Sequence, residues 1–156
     1  MTTLVFVPLD REAVYALRAG TDPGPRPGCA PTAGLAASVG AGAVPEEAEF
    51  AALSHAGVLA LTSGKDPLRL VLAADVAAGQ VDDPGDGLGE VVVSGLVWRQ
   101  VQSLFADEPE AAPAVARARA TAAGQSLAEV LSTSEVEELL AAYDLLWFAP
   151  EELGRC

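Results

Sequence analysis

The 156-residue sequence contains no isoleucine, no asparagine, one lysine, one histidine (His55) and two cysteines. Only 5% of its residues are aromatic, which excludes an extended aromatic platform for stacking nucleic-acid bases. A single histidine and two distant cysteines, Cys29 and Cys156, exclude the usual structural zinc sites. Few cysteines are typical of a reducing compartment rather than of a disulfide scaffold, so we expect a cytoplasmic protein.

Basic residues are also few. Nine lysines and arginines stand against 22 acidic residues, which gives a net charge of −13. Because nucleic-acid binding requires a basic surface and anionic lipids repel an acidic one, we expect neither nucleic acid nor a membrane as a partner. The opening Met1-Thr2-Thr3-Leu4 has neither a basic region nor a long apolar region after it, so we do not expect it to act as a secretory signal. The sequence contains no run of about 18 apolar residues that would predict a membrane span.

The apolar content is high enough for a folded core. Hydrophobic residues make up 51% of the chain and charged residues 20%, which predicts one globular domain over residues 1–156. Clusters of proline, glycine and aspartate predict flexible loops at about 21–31 and 79–89.

Apolar runs and helical spacing predict the order of the elements. Strands are expected at 4–7, 68–76, 90–94 and 145–148. Helices are expected at 10–20, 32–39, 45–64, 113–123 and from Ser134, where Glu137 would complete a capping box. Residues 96–105 fit a helix or a strand equally well.

This order favours an α+β domain with a four- to five-stranded mixed sheet, helices packed on it, and the βαββαβ arrangement of ferredoxin-like folds. A doubly wound α/β sheet is the alternative, because its strand-to-helix steps look similar.

Three predicted strands run directly into an aspartate: Asp10, Asp75 and Asp107. Carboxylates gathered at one edge of a sheet could hold Mg²⁺ against a phosphate group. In a ferredoxin-like order Asp10 and Asp107 could meet, whereas Asp75 would lie at the other edge. The competing interpretation is that aspartate commonly ends strands and caps helices.

The acidic loop offers a second candidate cation site at Asp82 and Asp86. It departs from a calcium-binding EF-hand loop, because Pro84 and Val93 occupy two ligand positions. A solvated hairpin loop is the competing interpretation. His55 has no nucleophile motif beside it, and we expect it to face solvent on its helix.

Trp98 and Arg99 are the predicted interaction residues, because tryptophan and arginine are enriched at protein interfaces. Core packing remains the alternative for Trp98. Trp147 lies in the last predicted strand, and we expect it in the core.

Three segments resemble a family of short, acidic, high-GC actinobacterial proteins of unknown function. They are Leu4-Val5-Phe6-Val7-Pro8, Val71-Leu72-Ala73-Ala74-Asp75-Val76, and Leu145-Leu146-Trp147-Phe148 followed by Glu151-Glu152-Leu153. The resemblance implies a stand-alone cytoplasmic protein, and it brings no activity, cofactor or catalytic residue.

The function is therefore not determined by the sequence, and two hypotheses remain. The first is a small non-catalytic interaction or regulatory domain that binds a protein partner or itself and needs no cofactor. The alternative is a Mg²⁺-dependent enzyme that acts on a phosphorylated small molecule through Asp10, Asp75 and Asp107.

Overall fold

The structure is a computed structural model that describes residues 2–40 and 44–156. In these residues the strands are β1 (Thr2–Pro8), β2 (Arg26–Cys29), β3 (Leu70–Ala77), β4 (Val81–Asp82), β5 (Glu90–Val93), β6 (Val101–Ala106) and β7 (Leu146–Phe148). The α-helices are α1 (Arg11–Arg18), α2 (Ala33–Val39), α3 (Pro45–Ser63), α4 (Ala112–Ala122), α5 (Leu127–Val130) and α6 (Ser134–Ala142).

The strands form one sheet in the order β4-β5-β2-β1-β3-β6-β7. Every pairing in this sheet is antiparallel. The predicted α+β class and single domain are confirmed. The predicted four- to five-stranded mixed sheet is wrong, because the sheet has seven strands in the described residues and all of its pairings are antiparallel. The ferredoxin-like order is not confirmed.

The sheet separates two hydrophobic cores. An upper core lies between the sheet and helices α2–α6, and it includes Phe6 and Val71 from the strands. A lower core lies on the opposite face, against α1 and the 3₁₀ turn Pro150–Arg155, and it includes Val5 and Leu72. Neighbouring residues of β1 and β3 thus point to opposite cores, as the two-residue period of a strand requires.

Helix α3 begins with Pro45 and ends at Ser63 before Gly64, as the sequence predicts. A proline in the first turn is favourable, because its missing N–H would have no partner there. Residues 56–61 are buried all round, since α3 contacts both the sheet and helices α4 and α5. The spacing of Phe50, Leu53 and Leu61 predicts an apolar stripe on this helix, but Phe50 is 65% exposed.

Three local predictions need correction. The proline-rich segment predicted as a loop contains β2, where a Cβ on Gly28 would lie 2.7 Å from the Phe6 carbonyl oxygen. Residues 96–105, left open between helix and strand, contain a 3₁₀ turn and then β6. The capping box predicted for Ser134 is absent from α6; Ser126 and Glu129 form one at α5.

The acidic segment 79–89 is not loop throughout, because it includes the short strand β4. Gly40 and Gly42 predict the end of the second helix, and Gly42 lies outside the described residues. No helix in residues 2–40 or 44–156 has the length and apolar content to cross a membrane.

Candidate functional site

Two of the three predicted strand-end aspartates lie at the same end of the sheet. Strands β1 and β6 flank β3 and run antiparallel to it, so Asp10 and Asp107 both follow strands that end there. Asp75 lies within β3 opposite Leu4. Four ladder positions separate this pair from the Pro8–Val71 pair, or roughly 13 Å at the rise of an extended strand. The structure therefore does not bring all three carboxylates together.

Asp107 forms a buried ion pair with Arg69. Its Oδ1 and Oδ2 accept hydrogen bonds from Arg69 Nη2 at 2.7 Å and Nε at 2.8 Å. The exposed fractions of the two side chains are 0% for Asp107 and 1% for Arg69. Both residues extend the β3–β6 ladder by one position, because Asp107 N donates to Arg69 O at 3.2 Å. Both oxygens of the Asp107 carboxylate are thus engaged by Arg69 of the same chain.

The Asp10 carboxylate is hydrogen-bonded to backbone N–H groups. Its carboxylate accepts hydrogen bonds from Lys65 N at 3.0 Å and Asp66 N at 3.2 Å. In return, Asp66 Oδ2 accepts from Arg11 N at 2.6 Å, in the first turn of α1. This reciprocal pair joins the β1–α1 turn to the loop between α3 and β3. The alternative interpretation is that Asp10 ends a strand and caps a helix. Asp10 is the N-cap residue of α1, but its carboxylate makes no capping hydrogen bond and instead binds the loop at Lys65 and Asp66.

Arg119 of α4 completes this end of the sheet. Its Nη1 and Nη2 donate to the carbonyls of Asp66 and Ala60, and its Nε is buried without an acceptor among the described residues. Burial lowers the pKa of Arg119, although the nearby carboxylates oppose that shift. The adjoining cavity, lined by Asp10 and Arg119, measures about 50 Å³, which is room for a few water molecules.

The predicted cation sites are not assembled. In the described part of the chain, no group of three or more His, Cys, Asp or Glu residues could hold a metal ion. Asp86 Oδ1 accepts hydrogen bonds from Leu88 N and Glu90 N and so shapes its own loop. Asp82 is exposed on β4. The Asp86 carboxylate is therefore engaged in its own loop, and the Asp82 carboxylate has no further ligand group beside it among the described residues.

A second group of ionisable residues lies between α3, β2 and β5. His55 is half-buried rather than solvent-facing, and its Nδ1 donates to Leu88 O at 2.8 Å. Burial raises the pKa of Glu90, and Asp86 raises it further, while His55 lowers it. Burial also raises the pKa of the Cys29 thiol well above its usual range. Such a thiol is unreactive, because the thiolate is the nucleophile.

The two tryptophans lie in different environments, and the expectation for Trp147 is wrong. Trp98 is half-buried against the lower core, with Arg99 exposed beside it. Trp147, expected in the core, is 61% exposed. It lies on β7, the last strand of the sheet, where a neighbouring strand covers one side only. An interaction role for Trp98 and Arg99 stays a prediction.

A cleft opens where α3, the end of α6 and the start of β7 meet. It has a volume of about 190 Å³, with Leu53 on one wall and Leu140 and Leu145 on the other. Trp147 pairs with Phe105, which packs on the upper core, so its side chain lies on the same side of the sheet as Leu145. We define the corner patch as Phe50, Leu53, Leu140, Tyr143, Leu145 and Trp147.

Neither this patch nor the Arg69–Asp107 ion pair was predicted from the sequence, although each has a signal there. Leu145, Leu146 and Trp147 are three consecutive large apolar residues, and a strand can bury only alternate ones against a single core. Arg69 directly precedes a buried strand and Asp107 directly follows another, which is the pattern of an ion pair between neighbouring strands.

A comparison with curated proteins and with solved structures finds no match. A family model for a family of unknown function (DUF6912) matches residues 3–155. This confirms the expectation of an uncharacterised family that spans the chain. The protein therefore belongs to DUF6912, a family whose function has not been assigned.

Proposed function

We propose that the protein is a non-catalytic interaction domain that binds a partner protein through the corner patch. The observation that carries this proposal is the exposure of Phe50 (65%), which lines an apolar cleft, and of Trp147 (61%), which lies on the same side of the sheet as Leu145 of that cleft. Large aromatic side chains grouped on one exposed surface are typical of protein interfaces and costly to leave in water.

Self-association is the second candidate, and β7 favours it. The outer edge of β7 has no strand partner in the described residues, and Leu146 on this strand is 42% exposed. An open edge is a template for pairing with another chain. The net charge of −13 opposes it, because two copies of so acidic a chain repel each other. We therefore favour a different protein as the partner.

The Mg²⁺-dependent enzyme is less well supported than either binding role. Magnesium requires carboxylates that can turn toward one ion at about 2 Å. Asp107 is paired with Arg69, and Asp10 accepts hydrogen bonds from backbone N–H groups. Asp75 lies four ladder positions from the Pro8–Val71 pair, where β1 ends.

We also propose a cytoplasmic location. It is supported by Cys29 and Cys156, both of which are free thiols, since free cysteines are commonest in reducing compartments.

Native mass spectrometry of the protein purified from its own host tests the binding role. We expect a stoichiometric partner with the wild-type chain and its loss in the double variant Phe50→Gln/Trp147→Thr. The control is Val92→Thr, which alters an exposed apolar residue on β5. Arg99→Glu tests the interaction residue predicted from the sequence.

Retention of the partner by Phe50→Gln/Trp147→Thr would contradict the proposal, as would loss of the partner in Arg99→Glu alone. A homo-oligomer that Phe50→Gln/Trp147→Thr dissociates would identify a second copy of the chain as the partner.

A further inference from the structure

The floor of the corner cleft carries a hydrogen-bond donor without a partner. Arg69 lines the cleft, and its Nε and Nη2 are taken up by Asp107, with Tyr143 O as a further acceptor of Nη2 at 3.4 Å. Among the described residues the structure shows no acceptor for Nη1. A Cβ on Gly57 would lie 3.2 Å from this nitrogen and 3.3 Å from Leu145 Cδ1, so Nη1 lies beside the leucine that lines the cleft.

The charge on this floor is already balanced. Because Asp107 neutralises Arg69 in a pair whose side chains are almost completely buried, a ligand carboxylate would add an unpaired charge to a desolvated site. An uncharged oxygen can accept from Nη1 without that cost. The floor therefore favours a hydroxyl or carbonyl oxygen over an acid.

The size of the cleft indicates a single side chain. Its volume of about 190 Å³ is below the about 300–1,000 Å³ of pockets that enclose whole small molecules. The walls are formed by Leu53, Leu140 and Leu145, with Phe50 at the entrance. An apolar ring that carries one oxygen matches both the walls and the floor, and the tyrosine side chain has this chemistry.

The surroundings of the cleft are acidic. Tyr143 borders both the cleft and a neighbouring groove of about 340 Å³ between α4 and α6. The two concavities are lined by four exposed or half-exposed carboxylates, those of Glu110, Glu135, Glu138 and Asp144. Arg117 is the exposed cation among the lining residues. A partner that approaches this surface is therefore selected for positive charge.

We infer that the corner patch recognises a basic segment of a partner protein, whose tyrosine side chain enters the cleft with its hydroxyl oxygen facing Arg69 Nη1. Basic residues beside that tyrosine face Glu135, Glu138 and Asp144. This inference rests on the proposed function and specifies the chemistry of the partner.

Three short peptides separate the two components of this recognition. Gly-Arg-Tyr-Arg-Gly carries both, Gly-Arg-Phe-Arg-Gly lacks the oxygen, and Gly-Glu-Tyr-Glu-Gly reverses the charge. Titrations are followed on ¹⁵N-labelled protein by the indole N–H signals of its two tryptophans. Trp147 reports on the corner patch, and Trp98, packed against the lower core, is the internal control.

We expect the basic tyrosine peptide to shift the Trp147 signal and to leave Trp98 unchanged. Loss of the oxygen should weaken binding about tenfold, since a hydrogen bond to a charged donor contributes about that factor. The acidic peptide should not shift Trp147.

A charge variant tests the rim separately. Glu135→Gln/Glu138→Gln/Asp144→Asn should weaken the basic peptide several-fold and reduce its salt dependence. The matched control is Glu12→Gln/Asp82→Asn/Glu151→Gln, which removes three exposed carboxylates elsewhere and should leave binding nearly unchanged.

Equal affinity for the tyrosine and phenylalanine peptides would overturn the role of Arg69 Nη1. Equal affinity for the acidic peptide, or a Trp147 signal that no peptide shifts, would overturn the inference as a whole. The proposed function would survive either result if the native partner is still lost in Phe50→Gln/Trp147→Thr. It would fall if that variant keeps its partner or if Arg99→Glu alone loses it.

Discussion

The sheet end around Asp107 and the cleft at the corner patch share one residue, Arg69, and differ in how their groups are satisfied. At the sheet end, Arg69 Nε and Nη2 meet Asp107, and Asp10 and Asp66 accept from the backbone. At the corner, Nη1 lacks an acceptor within the described residues, and Phe50 and Trp147 face water. The satisfied carboxylates of the sheet end stabilise the fold, although Arg119 Nε at that end has no acceptor among the described residues. Large apolar side chains exposed at the corner indicate where a partner binds.

Removal of Asp107 should give the largest effect on stability. Asp107→Ala leaves the Arg69 guanidinium buried without its counter-ion, which should lower the free energy of unfolding by about 3–5 kcal/mol. Urea denaturation measures this change. The paired variant Arg69→Met/Asp107→Leu should recover most of the loss, because it buries no charge. A cost below about 1 kcal/mol for Asp107→Ala would show that the ion pair does not stabilise this end of the sheet.

Removal of the Asp10 carboxylate should have a smaller effect. Asp10→Ala leaves the N–H groups of Lys65 and Asp66 without their acceptor, at a cost of about 1–2 kcal/mol in the free energy of unfolding. The measurement is again urea denaturation, with and without millimolar Mg²⁺. A Mg²⁺-dependent rise in the free energy of unfolding that Asp10→Ala abolishes would contradict the structural role and restore the metal site.

Glu90 sharpens the comparison, because it is a partly buried carboxylate without an ion pair. Its pKa is raised above the ordinary value of 4.5, by burial and then by Asp86. The folded chain therefore holds this proton to higher pH than the unfolded chain, and stability falls as pH rises above 4.5 through the raised value. Glu90→Gln should raise the free energy of unfolding at pH 7 by less than about 1 kcal/mol, since solvent screens the site.

The same variant should have little effect near pH 4, where Glu90 is already protonated in both states. Glu12→Gln, on the exposed face of α1, is the control and should not alter the pH profile in this way. If the wild-type chain instead gained stability relative to Glu90→Gln as pH rises, the direction of the Glu90 shift would be wrong. Removal of a carboxylate would thus be destabilising at Asp107 and stabilising at Glu90.

Local sequence signals predict the elements whose cause is local. Pro45 and Gly64 bound α3 because proline and glycine act on their own backbone. The apolar runs of β1 and β3 are buried as expected. Strand β2 could not be predicted, because its pairing with β5 overrides a turn-forming composition that includes Pro27 and Gly28.

The candidate site was less predictable, because it depends on long-range contacts. Asp10 and Asp107 were recognised as strand-end carboxylates, but their partners lie 55 and 38 residues away along the chain. The exposure of Trp147 follows from the position of β7 at the sheet edge, which the order of elements does not reveal. Tryptophan is a buried residue on average, so residue type alone favours burial of both. Only the position of β7 at the sheet edge shows that Trp147 is exposed.

Substitutions in the corner patch should have the smallest effect on stability and the largest effect on partner binding. Phe50→Gln/Trp147→Thr replaces exposed side chains with good helix and strand formers, so the free energy of unfolding should change by no more than about 0.5 kcal/mol. Leu104→Ala in the lower core is the contrasting variant and should cost about 2–5 kcal/mol. A large loss of stability in Phe50→Gln/Trp147→Thr would show that these aromatics stabilise the fold of the isolated chain, and the comparison between a closed sheet end and an open corner would no longer hold.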